Sequence, residues 1–180
     1  MNLKGSKTEK NLLKTFSGES RVRNKYNLYS EKAKAEGYMW IAEVFDGTAK
    51  NEYAHAREVY KRYLDRICST KNNLIEAAIS EAEESKVVYK NFENMAREEG
   101  FDEIADFYKE LQEVEESHKE KFLSLAKKLK DNMIFQSEKK SLWKCLNCGY
   151  IYEGCEAPEN CPLCKYPKSY FEKLEGKDCK

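Results

Sequence analysis

Along the first 130 residues, apolar positions recur with helical spacing. Ile104, Tyr108, Leu111, Glu115, His118, Phe122, Leu125 and Leu129 fall on an unbroken 4-3-4-3 seam, and Ile41, Phe45, Thr48, Glu52, His55 and Val59 form another. Each seam is apolar except at its centre, where a glutamate and a histidine interrupt it. No proline precedes Pro158, and Glu, Lys, Leu and Ala abound, which favours long helices. Ser6-Lys7-Thr8-Glu9 has the spacing of a capping box, and Gly37 and Gly100 punctuate the pattern. The spacing predicts four helices, over about residues 7–36, 38–66, 71–99 and 101–130.

The helices also repeat. A shift of 63 residues lays Tyr26 on Tyr89, Glu36-Gly37 on Glu99-Gly100, Ile41-Ala42 on Ile104-Ala105, Glu52 on Glu115 and His55 on His118. Two copies of a helical hairpin predict an all-α four-helix bundle with internal pseudo-two-fold symmetry. The repeat has one flaw: Glu19 to Tyr26 spans seven residues, whereas Glu81 to Tyr89 spans eight. One extra residue within a helix predicts a π-bulge between residues 81 and 89. After Lys130 a polar stretch, Gln136 to Ser141, leads into a cysteine-rich segment too short to fold without a staple. The expected division is residues 1–135 as the bundle, 136–141 as a linker and 142–180 as a small metal-stabilised domain.

Composition narrows the function classes. Charged residues make up 36%, but 32 Lys+Arg balance 32 Asp+Glu, which argues against a nucleic-acid partner. No apolar run approaches the ~18 residues of a membrane span, and the amino terminus lacks the apolar core of a signal peptide. A cytoplasmic protein without a membrane partner is expected, and there seven cysteines read as metal ligands or inert thiols rather than disulfides.

The only two histidines share one motif, Glu52-x-x-His55 and Glu115-x-x-His118. Residues three apart lie on one helix face, so each pair can reach one ion, as in di-iron and di-manganese carboxylate bundles. Those bundles take a further glutamate from each remaining helix. Glu19 on the first helix and Glu81 or Glu84 on the third are the candidates. Ionised carboxylates within an apolar seam cost several kcal/mol each unless a cation offsets the burial, and oxygen donors with one imidazole per ion suit iron or manganese. Tyr26 and Tyr89 lie within two turns of these glutamates and either hydrogen-bond a ligand carboxylate or simply pack in the core.

Cys145-x-x-Cys148 and Cys161-x-x-Cys164 are separated by twelve residues, a spacing that holds one tetrahedral ion. Zinc would make this a structural ribbon and iron a one-electron carrier. Trp143, Tyr150, Tyr152 and Phe171 are expected to form an aromatic core around it. Cys68, Cys155 and Cys179 are left over as exposed or packed thiols, although Cys155 lies between the pairs and competes as a ligand on paper.

Taken together, Ser17-Gly18-Glu19-Ser20, both Glu-x-x-His motifs, Glu81 and Glu84, Ala96-Arg97-Glu98-Glu99-Gly100, Cys145-x-x-Cys148-Gly149-Tyr150 and Glu156-Ala157-Pro158-Glu159-x-Cys161-Pro162-x-Cys164 closely resemble the rubrerythrin family. The resemblance implies a ferritin-like bundle followed by a rubredoxin-like domain. It implies a di-iron centre held by Glu19, Glu52, His55, Glu81, Glu84, Glu115 and His118, with Tyr26 and Tyr89 beside the ligands, and a mononuclear iron held by Cys145, Cys148, Cys161 and Cys164. Rubrerythrins act as non-haem peroxidases that reduce hydrogen peroxide to water in anaerobes and microaerophiles, with electrons from a rubredoxin and an NAD(P)H-dependent rubredoxin reductase. On this reading Glu52 and Glu115 bridge the irons, His55 and His118 cap one each, and Glu81 or Glu84 changes coordination with redox state.

Two other functions compete. A ferritin-like ferroxidase would use the same bundle but has no need of an inward electron supply, and a zinc-bearing scaffold would be redox-silent. The chain also departs from the family pattern at its crossover. In a ferritin-like bundle the second and third helices run parallel, so their connection must travel back some 30 Å, whereas about five residues, Arg66 to Thr70, extend only ~17 Å. Two readings resolve the shortfall: a homodimer or higher homo-oligomer exchanges helical hairpins between subunits, or the helices end two to four residues earlier and leave an ordinary loop.

Overall fold

Two bonds around Ser6 open the first helix. The Ser6 Oγ accepts from the Glu9 amide at 3.0 Å, while the Glu9 carboxylate accepts from the Gly5 amide. In the computed structural model, which describes residues 3–174, helix α1 runs Lys7–Ala35 and α2 Met39–Arg57. Helix α3 is Thr70–Glu83, α4 Tyr89–Glu98 and α5 Asp102–Lys130. Gly37 and Gly100 take positive φ of 84° and 81°, ending the first helix of each hairpin where a residue with a Cβ would be strained. Among the described residues these are the four expected helices, arranged as two hairpins, the third helix being interrupted. No helix among the described residues is long and apolar enough to cross a membrane.

Two helices carry π-helical turns. Glu84–Val88 joins α3 to α4, within the 81–89 interval where the repeat spacing predicts an insertion. A second, Glu58–Tyr63, extends α2 and closes with a Leu64 amide bonded to the Val59 carbonyl at 2.9 Å, five residues back. The helix expected to reach residue 66 is therefore wider in its last turns and ends at Tyr63.

The chain divides into two compact units that part between Cys68 and Ser69. In the first, α1 and α2 form an antiparallel hairpin whose buried residues are mostly alanines: Ala33, Ala42, Ala49 and Ala56, with Val59. Ala42, Ala49 and Ala56 repeat every seven residues and so form one stripe that lets the helices approach closely. In the second, the hairpin of α3–α4 with α5 buries Ala78, Ala96, Ala105 and Ala126. The larger apolar side chains of both hairpins, among them Ile41, Val44, Ile79 and Ile104, remain exposed.

The second unit ends in a three-stranded antiparallel sheet of order β2-β1-β3, with β1 Gln136–Cys145, β2 Ile151–Glu156 and β3 Phe171–Lys173. Trp143 sits in the middle strand, opposite Tyr152 on one side and Lys173 on the other. Its ring is fully buried with Cys145, Ala157, Cys161 and Phe171, and its indole N–H donates to the Gly154 carbonyl at 3.0 Å. Two expectations change here. Gln136–Ser141 is not a linker but the first half of β1, pairing Gln136 with Glu156 and Ser141 with Gly154 across an irregularity. Its polar side chains are compatible with a strand because pairing uses the backbone, and most of them face solvent. Tyr150 does not join the aromatic core: its ring is 36% exposed, and its contribution is a carbonyl that accepts from the Cys145 amide at 2.8 Å.

Candidate metal centres

Each helical unit assembles one triad. In the first, Glu19 on α1 meets Glu52 and His55 on α2; in the second, Glu81 on α3 meets Glu115 and His118 on α5. Within each triad the candidate ligand atoms all lie within 4.8 Å of one another. His55 Nδ1 is 3.1 Å from Glu52 Oε2 and 3.4 Å from Glu19 Oε2. His118 Nδ1 is 2.8 Å from Glu115 Oε2 and 3.9 Å from Glu81 Oε2. The triads correspond under the sequence repeat, because the π-turn after Glu83 absorbs the residue that otherwise puts Glu81 out of step with Glu19.

The repeat extends beyond the ligands. Tyr26, Tyr29 and Phe45 form a ring trio with centroids 5.6 to 6.3 Å apart, and their repeat mates Tyr89, Phe92 and Tyr108 form another at 5.4 to 6.3 Å. Sequence reasoning singled out only the first member of each trio, although the 63-residue shift already pairs the other two. The trios differ in one respect. Tyr89 donates to Glu84 Oε2 at 2.9 Å, whereas Tyr26 packs on Tyr29 and Phe45. Glu84 stands outside the triad, held by that phenol.

The electrostatics of the triads are those of crowded carboxylates. The bond to Glu52, helped by lost hydration, raises the Glu19 pKa, and the same bond lowers that of Glu52, so the two acids titrate as a coupled pair. Glu52 and Glu19 together raise His55. Burial, then the neighbouring Glu115, raises Glu81. Burial, with the adjacent Glu84, pushes the Tyr89 phenol up to about 12. Acids held this close need either a proton or a cation between them. Two carboxylates and an imidazole per triad are the donors a di-iron centre takes from each half of a bundle.

The four cysteines converge as predicted, with Cys145 and Cys161 buried. Cys145 Sγ is 3.7 Å from Cys164 Sγ, and Cys148 Sγ is 3.7 Å from Cys161 Sγ. Thiolates bound tetrahedrally at ~2.3 Å stand ~3.8 Å apart, which these two separations match, and all four sulfurs lie within 4.8 Å of one another. The two knuckles share one backbone plan. In the first, the Gly149 amide bonds the Cys145 carbonyl and the Cys145 amide bonds the Tyr150 carbonyl; in the second, Lys165 bonds Cys161 and Cys161 bonds Tyr166 in the same way. Sequence reasoning missed what acts on the sulfurs themselves. The Asn147 side chain, then the Tyr166 amide, brings the Cys164 thiol down to about 6. The Tyr150 amide favours the Cys148 thiolate, but lost hydration and the other three thiols outweigh it and push Cys148 up to about 12. Cys155 and Cys68 are exposed and outside the cluster, and Cys179 lies outside the described residues.

The rubrerythrin family model matches this chain over residues 10–126 and again over 72–143, and the rubrerythrin rubredoxin-like domain matches residues 143–172. Rubrerythrin of Nitratidesulfovibrio vulgaris is 40% identical over 185 residues, covering 96% of each chain. Rubrerythrin-1 of Clostridium acetobutylicum is 40% identical over 188 residues with the same coverage, and a putative rubrerythrin of Methanocaldococcus jannaschii is 37% identical over 186 residues, covering 92% of this chain and 91% of its own. The donor sets fit a di-iron centre and a rubredoxin-type iron. Both family models span those donors and the relatives match almost end to end, so the chain belongs to the rubrerythrin family.

Proposed function

We propose that the protein is a non-haem peroxidase that reduces hydrogen peroxide to water in the cytoplasm of an anaerobe or microaerophile, protecting it from oxidative stress. The overall reaction is H2O2 + 2 e⁻ + 2 H⁺ → 2 H2O. The observation that carries this reading is the presence, in one chain, of two repeat-related Glu-Glu-His triads and a preformed four-thiolate site. Oxidising ferrous iron for storage needs no inward electron supply, whereas a peroxidase must be re-reduced after every turnover. When bound, the iron pair supplies one electron from each ion to the oxygen–oxygen bond, and the tetrathiolate iron returns electrons singly. Those electrons come from a rubredoxin or an NAD(P)H-dependent rubredoxin reductase.

The residues would divide the work as follows. Glu19, Glu52 and His55 would hold one half of the metal pair, and Glu81, Glu115 and His118 the other. Glu84, outside the triad and bonded to Tyr89, is the carboxylate free to change partner. Tyr89 keeps its proton at any working pH, since its pKa lies near 12, and so orients Glu84 as a donor rather than repelling it as a phenolate. The two protons that the reaction consumes would pass through the carboxylates of the triads or through the Glu84–Tyr89 pair. The test is to mix the anaerobically reduced protein with one equivalent of peroxide. Oxidation much faster than with dioxygen is expected, and oxidation no faster than with dioxygen would overturn the assignment.

A further inference from the structure

We infer that a complete di-metal centre forms only between two copies of this chain, the α1–α2 hairpin of one supplying Glu19, Glu52 and His55 and the α3–α5 hairpin of the other supplying Glu81, Glu115 and His118. The inference rests on the metal-binding part of the function proposed above and extends it to the source of each ligand. A ferritin-like bundle needs one long crossover connection. To set both triads at one level with the second and third helices parallel, the chain must return from Tyr63 to Thr70. The eight residues from His55 to Tyr63 and the eleven from Thr70 to Glu81 amount to ~27 Å of axial travel, at ~1.5 Å per α-helical residue and somewhat less through the wider π-turn.

The connector falls well short. Leu64 is still coiled, and Asp65 turns at φ 48°. The Arg66 amide bonds back to the Tyr60 carbonyl at 3.1 Å. At the other end Ser69 caps α3, its Oγ accepting from the Asn72 amide at 3.3 Å. Only the three steps from Arg66 to Ser69 remain to be extended, worth ~11 Å. Releasing both capped ends stretches all seven steps from Tyr63 to Thr70 to ~25 Å, which is still short and sacrifices a helix cap.

Each unit is also only half a bundle in its packing. The hairpins bury alanines against themselves and leave Ile41 and Val44 in one unit, Ile79 and Ile104 in the other, exposed on the helices that carry the triads. A second copy is the occupant that matches. It brings the complementary hairpin, with equivalent ligands under the internal repeat, and exchange in both directions closes a two-fold dimer with two centres.

The test uses two full-length double variants with different affinity tags, Glu52→Gln/His55→Gln and Glu115→Gln/His118→Gln, co-expressed, isolated as the doubly tagged species and loaded with ferrous iron. The tetrathiolate iron reports folded chains, and the absorption of the coupled diferric pair after oxidation is compared with it. Exchange predicts one intact centre and one doubly damaged centre in each mixed dimer, hence about half the wild-type paired-iron absorption per chain and none in either homodimer, where each centre keeps only one intact triad. Mixed dimers with no more paired-iron absorption than the homodimers would overturn the inference. A second measurement does not depend on metal. Inserting ten Gly/Ser residues after Ile67 adds ~35 Å of reach and should shift the protein from dimer to monomer in light scattering. A wild-type chain that is monomeric at micromolar concentration also overturns it. Restored iron without rapid peroxide oxidation would refute the peroxidase reading and leave the exchange standing.

Discussion

Replacing Gly149 by alanine tests how the thiolate knuckles are held. Gly149 has φ 77°, the left-handed region, and its amide closes the first knuckle on Cys145. A Cβ built there meets no atom within 4 Å, so the whole cost of the change lies in the backbone. An L-residue in that conformation costs about 1–2 kcal/mol, and the lower end alone is about fivefold in an opening equilibrium. The second knuckle supplies the converse experiment, because Lys165 occupies the equivalent position at φ 64° and already bears the cost. Lys165→Gly relieves it but adds freedom to the unfolded chain and removes an exposed bond from Nζ to the Pro162 carbonyl, leaving a net gain of about 0.5–1 kcal/mol. The assay is the rate at which a strong chelator bleaches the ferric tetrathiolate absorption. Gly149→Ala should accelerate bleaching about fivefold or more, and Lys165→Gly should slow it by about two- to fivefold. Changes in the same direction, or no change in either, would show that knuckle opening does not pass through these two residues.

Other expectations follow from single contacts. Tyr89→Phe removes the phenol that orients Glu84, a bond worth about 1 kcal/mol, so peroxide-driven oxidation in stopped flow should slow about fivefold; Tyr26→Phe, lacking such a bond, should change it less. Trp143→Ala empties a fully buried site and should cost about 3–5 kcal/mol, seen as loss of the tetrathiolate colour at temperatures the wild type survives. Ser6→Ala removes the α1 cap and should cost about 1 kcal/mol in denaturant unfolding. Glu93 is buried, and Gln112, Lys90 and Arg97 hold its carboxylate at about 2. A depressed folded pKa stabilises above the unfolded value near 4.5 and is lost as pH falls through 2. The melting-temperature gap between wild type and Glu93→Gln should therefore be full above pH 4.5 and close toward pH 2; a gap that widens on acidification would refute the assignment.

The helices, the repeat and both donor sets were legible because each leaves a mark at fixed spacing. Even the π-turn at Glu84–Val88 was, since Glu81 and Tyr89 flank it and both have repeat mates to count against. The π-turn at Glu58–Tyr63 was not, because it follows the last ligand of its helix and no landmark lies beyond it. The strand character of Gln136–Ser141 was hidden for a different reason. Its pairing with β2 is a backbone property, and a polar sequence exposed to solvent carries neither alternation nor a hydrophobic face. Tyr150 misled in the opposite direction, an aromatic residue whose carbonyl is the part that matters. Ligand identity was readable from residue type, and the short connector already pointed to an exchange of hairpins, but the turn at Asp65 and the cap at Ser69 that shorten it further were not, since neither leaves a mark at fixed spacing.

The alanine stripe through Ala42, Ala49 and Ala56 has a further consequence for how such a chain comes to be folded. Alanine lets two helices meet closely but removes little apolar surface from water, so a lone hairpin gains little stability from its own seam. Most of its hydrophobic gain is left to the exposed isoleucines and valines, which the proposed exchange would cover with a second copy. Folding and association would then become one concentration-dependent reaction, in which dilution lowers the melting temperature and iron, by joining two chains, raises it. The supply of newly made chains and of ferrous iron would then control when this protein exists in working form at all.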